Sequence, residues 1–295
     1  VTVSNAQGCK NTATVNVTVT TPTTTAANTG PYCAGATIQL NTPAATTYTW
    51  TGPNAFTSNV QNPTILNSTT AMSGVYTVST TTSGCKSTAT TNVVVNPLPT
   101  PAAANTGPYC PGNTIQLNVG AFTTYTWTGP SAFSSTSQNP TVASASVTNS
   151  GTYTVTVADA NGCVNSSTTS VVVNPTPNPI VGSNSPVCLS TAINLTATGG
   201  TGYAWSGPNG FTSALQNPSI ASAAAVNAGV YTVTVTSLGC TNTGTVSVTV
   251  LSPTTSANNT GPYCAGTTIQ LNTPAGASYN WSGPGGFTSA LQNPT

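Results

Sequence analysis

The residues of this chain with the widest covalent chemistry are its eight cysteines, and they are spaced like a ruler. Cys33, Cys110, Cys188 and Cys264 lie 77, 78 and 76 residues apart, and Cys9, Cys85, Cys163 and Cys240 form a second series at the same pace. A thiol can attack a substrate, hold a metal or pair with another thiol. Attack needs a thiolate stabilised by a positive environment. The only charged side chains here are Lys10, Lys86 and Asp159, and there is no Arg, Glu or His. Zinc sites draw on His or closely spaced Cys, and calcium sites on clustered carboxylates. Neither set exists, and general acid–base catalysis lacks its usual groups. The sequence therefore predicts no catalytic residue, no metal and no cofactor. Two lysines cannot displace the counterions of a nucleic acid, so that partner is excluded too. Pairing is what remains, and disulfides imply an oxidising, exported setting.

The elements that position these cysteines repeat with them. Residues 28–50 read NTGPYCAGATIQLNTPAATTYTW, and residues 259–281 read NTGPYCAGTTIQLNTPAGASYNW. Trp50, Trp127, Trp205 and Trp281 keep the intervals of the cysteines. A fixed period of this length marks a tandem array of small units. The expected division is residues 1–20 as the end of one repeat, then repeats over 21–97, 98–175 and 176–251, then 252–295 as the start of another. VTVSNAQGC at the N-terminus matches VTVADANGC at 155–163, and QNPT at the C-terminus matches Gln61–Thr64. This suggests a segment of a longer array. Units this short have marginal cores, so covalent staples matter to them.

Helical periodicity is missing and β-branched residues alternate along short runs, which reads as strands. In the first full repeat strands are expected near Thr24–Asn28, Thr37–Asn41, Tyr48–Thr51, Thr64–Asn67, Val75–Thr80 and Lys86–Val95, with a turn at Cys33–Gly35. Gly52-Pro53, Gly129-Pro130, Gly207-Pro208 and Gly283-Pro284 mark one turn per copy, and Ser83-Gly84, Asn161-Gly162 and Leu238-Gly239 a tight hairpin. Strand number and spacing indicate β-sandwiches. The passage from Thr64 to Tyr76 resembles the strand E to strand F crossing of immunoglobulin-like (Ig-like) domains, with a Gly-x-Tyr suited to a tyrosine corner. Trp50 resembles the core Trp of strand C. The resemblance implies a core built on Trp50 and Tyr76, Trp127 and Tyr153, Trp205 and Tyr231, and Trp281. The fold expected is all-β, a tandem array of Ig-like sandwiches forming an extended rod. The Cys pattern before strand B, with Tyr-x-Val-x-Val and Gly-Cys after it, also resembles Ig-like repeats of surface proteins exported by the type IX system of gliding Bacteroidota.

The Ig topology then bears on the cysteines. It puts Cys33 at the turn between strands A and B and Cys85 just past the turn between F and G, at opposite poles of one sandwich. A strand between the poles spans ~25 Å, whereas bonded cysteines have Cα atoms ~4.4–6.8 Å apart. Linking neighbouring repeats is favoured, as Cys33–Cys163 and Cys110–Cys240. Linking within a repeat, as Cys33–Cys85, Cys110–Cys163 and Cys188–Cys240, is the alternative, and bonds between chains are a third possibility.

Asn96-Pro-Leu-Pro-Thr-Pro101 and Asn174-Pro-Thr-Pro-Asn-Pro179 join consecutive repeats, and Pro-rich joints are semi-rigid. A surface of Thr, Ser and Asn opposes self-association only weakly. No apolar run is long enough for a membrane helix. The expected role is the shaft of an extracellular, cell-surface filament or stalk, non-catalytic and assembling with copies of itself. The alternative is an adhesin whose repeats bind surface glycans, with Tyr32, Tyr109 and Tyr263 of the Gly-Pro-Tyr-Cys motif as contacts; those tyrosines are read first as packing at repeat junctions.

Overall fold

A computed structural model describes residues 1–252 and 255–295. Residues 253–254, inside the 252–295 segment, lie outside that description. The chain forms two compact units, Val1–Val173 and Asn174–Thr295.

In the first unit, residues 27–96 build one sandwich. Ala27–Asn28, Ile38–Asn41 and Thr64–Ile65 form one antiparallel sheet. The other runs Cys85–Val93, Gly74–Thr82, Thr47–Gly52, Phe56–Ser58. Residues 104–173 repeat the arrangement with Ile115–Asn118, Thr124–Gly129, Phe133–Ser135, Gly151–Ala158 and Val164–Val171. In the second unit it returns as Ile193–Thr198, Gly202–Gly207, Phe211–Ser213, Gly229–Ser237 and Cys240–Val248. Alternate residues of Gly74–Thr82 are buried, as a sheet with one wet face requires. The inward set of the first sandwich is Ile38, Leu40, Trp50, Tyr76, Val78, Val93 and Val95, with Tyr32.

The aromatic residues lock this core. Tyr76, Tyr153 and Tyr231 donate their hydroxyls to the carbonyls of Met72, Asn149 and Asn227, each four residues upstream. That is a tyrosine corner. Phe56 meets the Tyr76 ring edge-on at 5.5 Å, and Phe133 and Phe211 do the same to Tyr153 and Tyr231 at 5.4 Å. Trp50, Trp127 and Trp205 are buried; Trp281 is half-buried. Trp50 Nε1 donates to the Gln61 carbonyl at 3.1 Å. Gln61 Nε2 in turn donates to the Thr42 carbonyl at 3.0 Å, while Asn62 Oδ1 accepts the Thr42 N–H at 3.0 Å. The recurring Gln-Asn-Pro is thus a clamp on the end of the neighbouring strand, satisfying buried groups that pairing misses.

Several local expectations are corrected. The turn expected at Cys33–Gly35 is present, closed by the Ala36 N–H on the Cys33 carbonyl, but Cys33 also ends a short strand, Tyr32–Cys33, lying parallel to Val95–Asn96. The strand expected over Thr24–Asn28 is confined to Ala27–Asn28. Phe56–Ser58 is a strand that the spacing did not announce. The Ser83-Gly84 and Leu238-Gly239 turns have two successive positive φ values, the geometry that suits a two-residue hairpin. Asn161-Gly162 instead belongs to a wider loop closed by Asp159.

Burial pushes the Tyr76, Tyr153 and Tyr231 phenols above their ordinary value. The folded state therefore favours the neutral ring. Its contribution is fully present below the unfolded phenol's pKa of about 10 and is lost as pH rises through the higher folded value. A thermal melt is expected to fall as the pH rises above about 10. A midpoint that holds steady there would refute this.

Candidate functional site

The cysteine series defines the site. On one side, Tyr32 N–H donates to the Val94 carbonyl at 2.9 Å and Ala34 N–H to the Asn96 carbonyl at 2.9 Å, so Cys33 is fixed beside the last strand of its own repeat. The Cys33 carbonyl accepts from the Ala36 N–H at 3.0 Å and from the buried Ser68 hydroxyl at 3.2 Å. Tyr32 folds back over Gly30, where a Cβ would stand 2.6 Å from the ring. The third repeat carries Ser185 and Val187 at these two positions, so losing the ring and gaining a Cβ go together.

On the other side, Cys163 begins beyond the loop that Asp159 closes. The Asp159 carboxylate accepts the Asn161 and Cys163 N–H groups, both at 2.9 Å, and Asp159 N–H donates to the Cys163 carbonyl at 3.0 Å. Asn5 takes the same role before Cys9, accepting the Gln7 and Cys9 N–H groups at 3.2 and 2.9 Å. The chain's one carboxylate is therefore a loop-shaping group.

Cys33 and Cys163 are joined by a disulfide with Cα atoms 5.5 Å apart across 130 positions of sequence. The bond runs from a short strand early in one repeat, paired beside that repeat's last strand, to a loop late in the next. The connecting segment is held as well: Asn165 Nδ2 donates to the Pro99 carbonyl at 2.8 Å, and Pro99 itself is buried. In the second unit, Asn242 Nδ2 grips the Pro177 carbonyl in the same way at 3.0 Å. An open cleft beside the Cys33–Cys163 bond is lined by Asn28, Asn92, Asn96 and Asn161 with Gly30 and Pro31. Asn28 is committed to Thr91 and to the Asn92 carbonyl, so it shapes the cleft rather than serving it.

Cys110 and Cys240 are half-cystines too, while Cys9, Cys85, Cys188 and Cys264 are free. The within-repeat pairings Cys33–Cys85, Cys110–Cys163 and Cys188–Cys240 are therefore not formed. The reason is distance: the nine-residue strand Cys85–Val93 separates Cys85 from the pole that holds Cys33, a span of about 30 Å.

The Gly-Pro-Tyr-Cys tyrosines are also placed differently from expectation. Tyr32 and Tyr109 are buried in the cores of their own repeats, not at junctions. The Tyr32 hydroxyl lies 3.1 Å from the Gln39 carbonyl and accepts the Thr29 N–H at 2.9 Å. Tyr263, the third of these tyrosines, is half-buried. Gln61 and Asn62 are the structural residues that sequence reasoning passed over, although their recurrence in every copy was a usable signal. Among the described residues no group of His, Cys, Asp or Glu could hold a metal ion, and no helix is long and apolar enough to cross a membrane.

No family model matches the chain, and no curated protein does. Among solved structures it is similar to the three N-terminal domains of the outer capsid protein Hoc of bacteriophage RB49, at 14% identity and a TM-score of 0.38, over 78% of this chain and 100% of that one. It is similar to the titin I-band fragment I67–I69 at 15% identity and 0.38, over 75% and 95%. Murine CEACAM1b follows at 12% and 0.32, over 52% and 100%. Strand order, tyrosine corners and buried tryptophans together make the chain a tandem array of Ig-like β-sandwiches, stapled by disulfide.

Proposed function

We propose that this chain is the structural shaft of an extracellular filament or surface stalk, and that it does no chemistry of its own. The observation that carries this reading is where the Cys33–Cys163 bond lies. It spends its covalent constraint on the connection between repeats rather than on either core. A binding module needs stable domains; a load-bearing array needs stable joints. The buried prolines and the Asn165 grip on Pro99 stiffen the joint further. A cysteine-stapled, nearly charge-free chain suits an oxidising exterior, and the resemblance to type IX-exported surface repeats supports the same location.

Electron microscopy of the native secreted material, imaged dilute and without reductant, tests the proposal. Ordered fibres with repeats touching side to side identify the array as building material. Single beaded threads one domain wide mean a stalk. Material bound to glycan-coated grids without forming either would move the function to adhesion.

A further inference from the structure

The chain contains two Asn-Gly steps, Asn161-Gly162 and Asn209-Gly210. This dipeptide carries a reaction of its own. The glycine amide nitrogen can attack the asparagine side-chain carbonyl carbon, because no Cβ on the glycine blocks the approach. The fold puts the two steps in opposite settings.

Asn209 lies in the turn between the strands Gly202–Gly207 and Phe211–Ser213. It is exposed, at φ 54° and ψ 35°, and Gly210 follows at φ 68°. A Cβ on Gly210 would meet nothing within 4 Å, so the turn stands clear of the rest of the repeat. Among the described residues, the Asn209 side-chain amide makes no hydrogen bond. Asn161-Gly162 is instead held to Asp159. The Asn161 N–H donates to Asp159 Oδ1 at 2.9 Å and its Nδ2 to Asp159 Oδ2 at 3.4 Å. The Gly162 N–H donates to the Asp159 carbonyl at 3.1 Å. Both the amide to be attacked and the attacking nitrogen are therefore tied down. The first repeat supplies a further comparison. Asn54 occupies the Asn209 position at φ 51°, but Ala55 follows it at φ 54°, and an alanine Cβ crowds the nitrogen beside it.

We propose that Asn209 is a site of spontaneous deamidation, the Asn-Gly step that the fold leaves open. The Gly210 nitrogen forms a bond to Asn209 Cγ and gives up its proton. The side-chain amide leaves as ammonia, which closes a succinimide ring. Water then adds to either ring carbonyl, and the bond from that carbonyl to the Gly210 nitrogen breaks. The product is aspartate at 209, or isoaspartate, in which the backbone runs through the former side chain. Overall one amide and one water give one carboxylate and one ammonium ion, and no electrons are transferred.

Either product acts beyond position 209. The formal charge falls from +1 to zero, since two lysines then face two side-chain carboxylates. A surface near zero net charge associates more readily. Isoaspartate also lengthens the backbone of a turn whose flanking residues, Gly207 and Phe211, are paired in register. The Phe211 ring meets Tyr231 edge-on at 5.4 Å. Lengthening that turn therefore pulls on the tyrosine corner of the 176–251 repeat.

The test ages the full, oxidised chain at mildly alkaline pH and maps it by chymotryptic peptides and mass spectrometry. Isoaspartyl methyltransferase marks the isoaspartate. Conversion at Asn209 is expected to outrun that at Asn54 and at Asn161 by about tenfold or more, equal to ~1.4 kcal/mol in barrier. An unconverted Asn209, or equal rates at the two Asn-Gly steps, overturns the proposal. G210A is expected to slow position 209 to the rate of Asn54. The turn accepts that change, because Ala55 and Ala132 hold the same conformation at φ 54° and 57°. An undiminished rate in G210A overturns the attack by the Gly210 nitrogen. Chains carrying isoaspartate should lose hydrogen-exchange protection across Gly229–Ser237, and unchanged protection there overturns the link to the tyrosine corner.

Discussion

Trp50→Ala, in reductant that opens the Cys33–Cys163 bond, is expected to unfold the 21–97 repeat while leaving the 98–175 repeat folded. The indole is buried at the centre of its cluster, facing Val78 in direct register. Removing a buried Trp costs about 3–5 kcal/mol through lost burial and residual cavity. A unit of this size holds about 4–12 kcal/mol in total, so the loss takes a large share of it. The substitution also strands the Gln61 carbonyl, which accepts the indole N–H, and so loosens the clamp on Thr42. Hydrogen exchange of the full chain reads the outcome repeat by repeat: protection should collapse across Ile38–Asn41 and Gly74–Thr82 and persist across Gly151–Ala158. Gly52→Ala should act in the same place, since a Cβ there would collide with the Tyr76 ring, whose hydroxyl anchors it to Met72. Uniform protection in both variants would mean that the repeats do not carry separate cores.

The aromatic core was legible in the sequence because each member recurs in every copy at a fixed offset from a Gly-Pro or a Gly-x-Tyr. Trp50 and Tyr76 could be placed without coordinates. The strand Phe56–Ser58 could not, because three residues between a Gly-Pro turn and a Gln-Asn-Pro show no alternation. Its signal was the Phe itself, which returns as Phe133 and Phe211 to meet the corner tyrosine. The setting of Cys33 was hidden for another reason. A two-residue parallel pairing with Val95–Asn96 depends on a partner over sixty positions away, and local turn signals around Cys33 point to a loop. Tyr32 misled similarly: its neighbours Gly30 and Pro31 look like an exposed turn, yet the ring folds inward over Gly30. Pairwise geometry at long range is what periodicity leaves unwritten.

The joint between repeats should depend on its disulfide far more than either sandwich does. With Cys33→Ser and Cys163→Ser combined, no thiol is left buried in search of a partner, and the change isolates the cross-link. Closing a loop across 130 positions removes about 5 kcal/mol of unfolded-chain entropy in the simplest account. That stabilisation is shared, because the loop encloses most of both repeats. The double variant is therefore expected to unfold in two separated steps at lower denaturant, where the oxidised parent unfolds its first two repeats together. Reductant should lower the parent at least as far as the variant, and should move the variant less than the parent, because of the half-cystines only Cys110 and Cys240 remain in it to be reduced. The inner faces around Trp50 and Trp127 are untouched by these substitutions, so each repeat should keep its own native fluorescence until its own transition. If the oxidised parent already unfolds in two independent steps, the bond would tether the repeats without coupling them. A shaft built of such joints would bend under load at every junction, and the Asn165 hold on Pro99 would be the remaining source of stiffness.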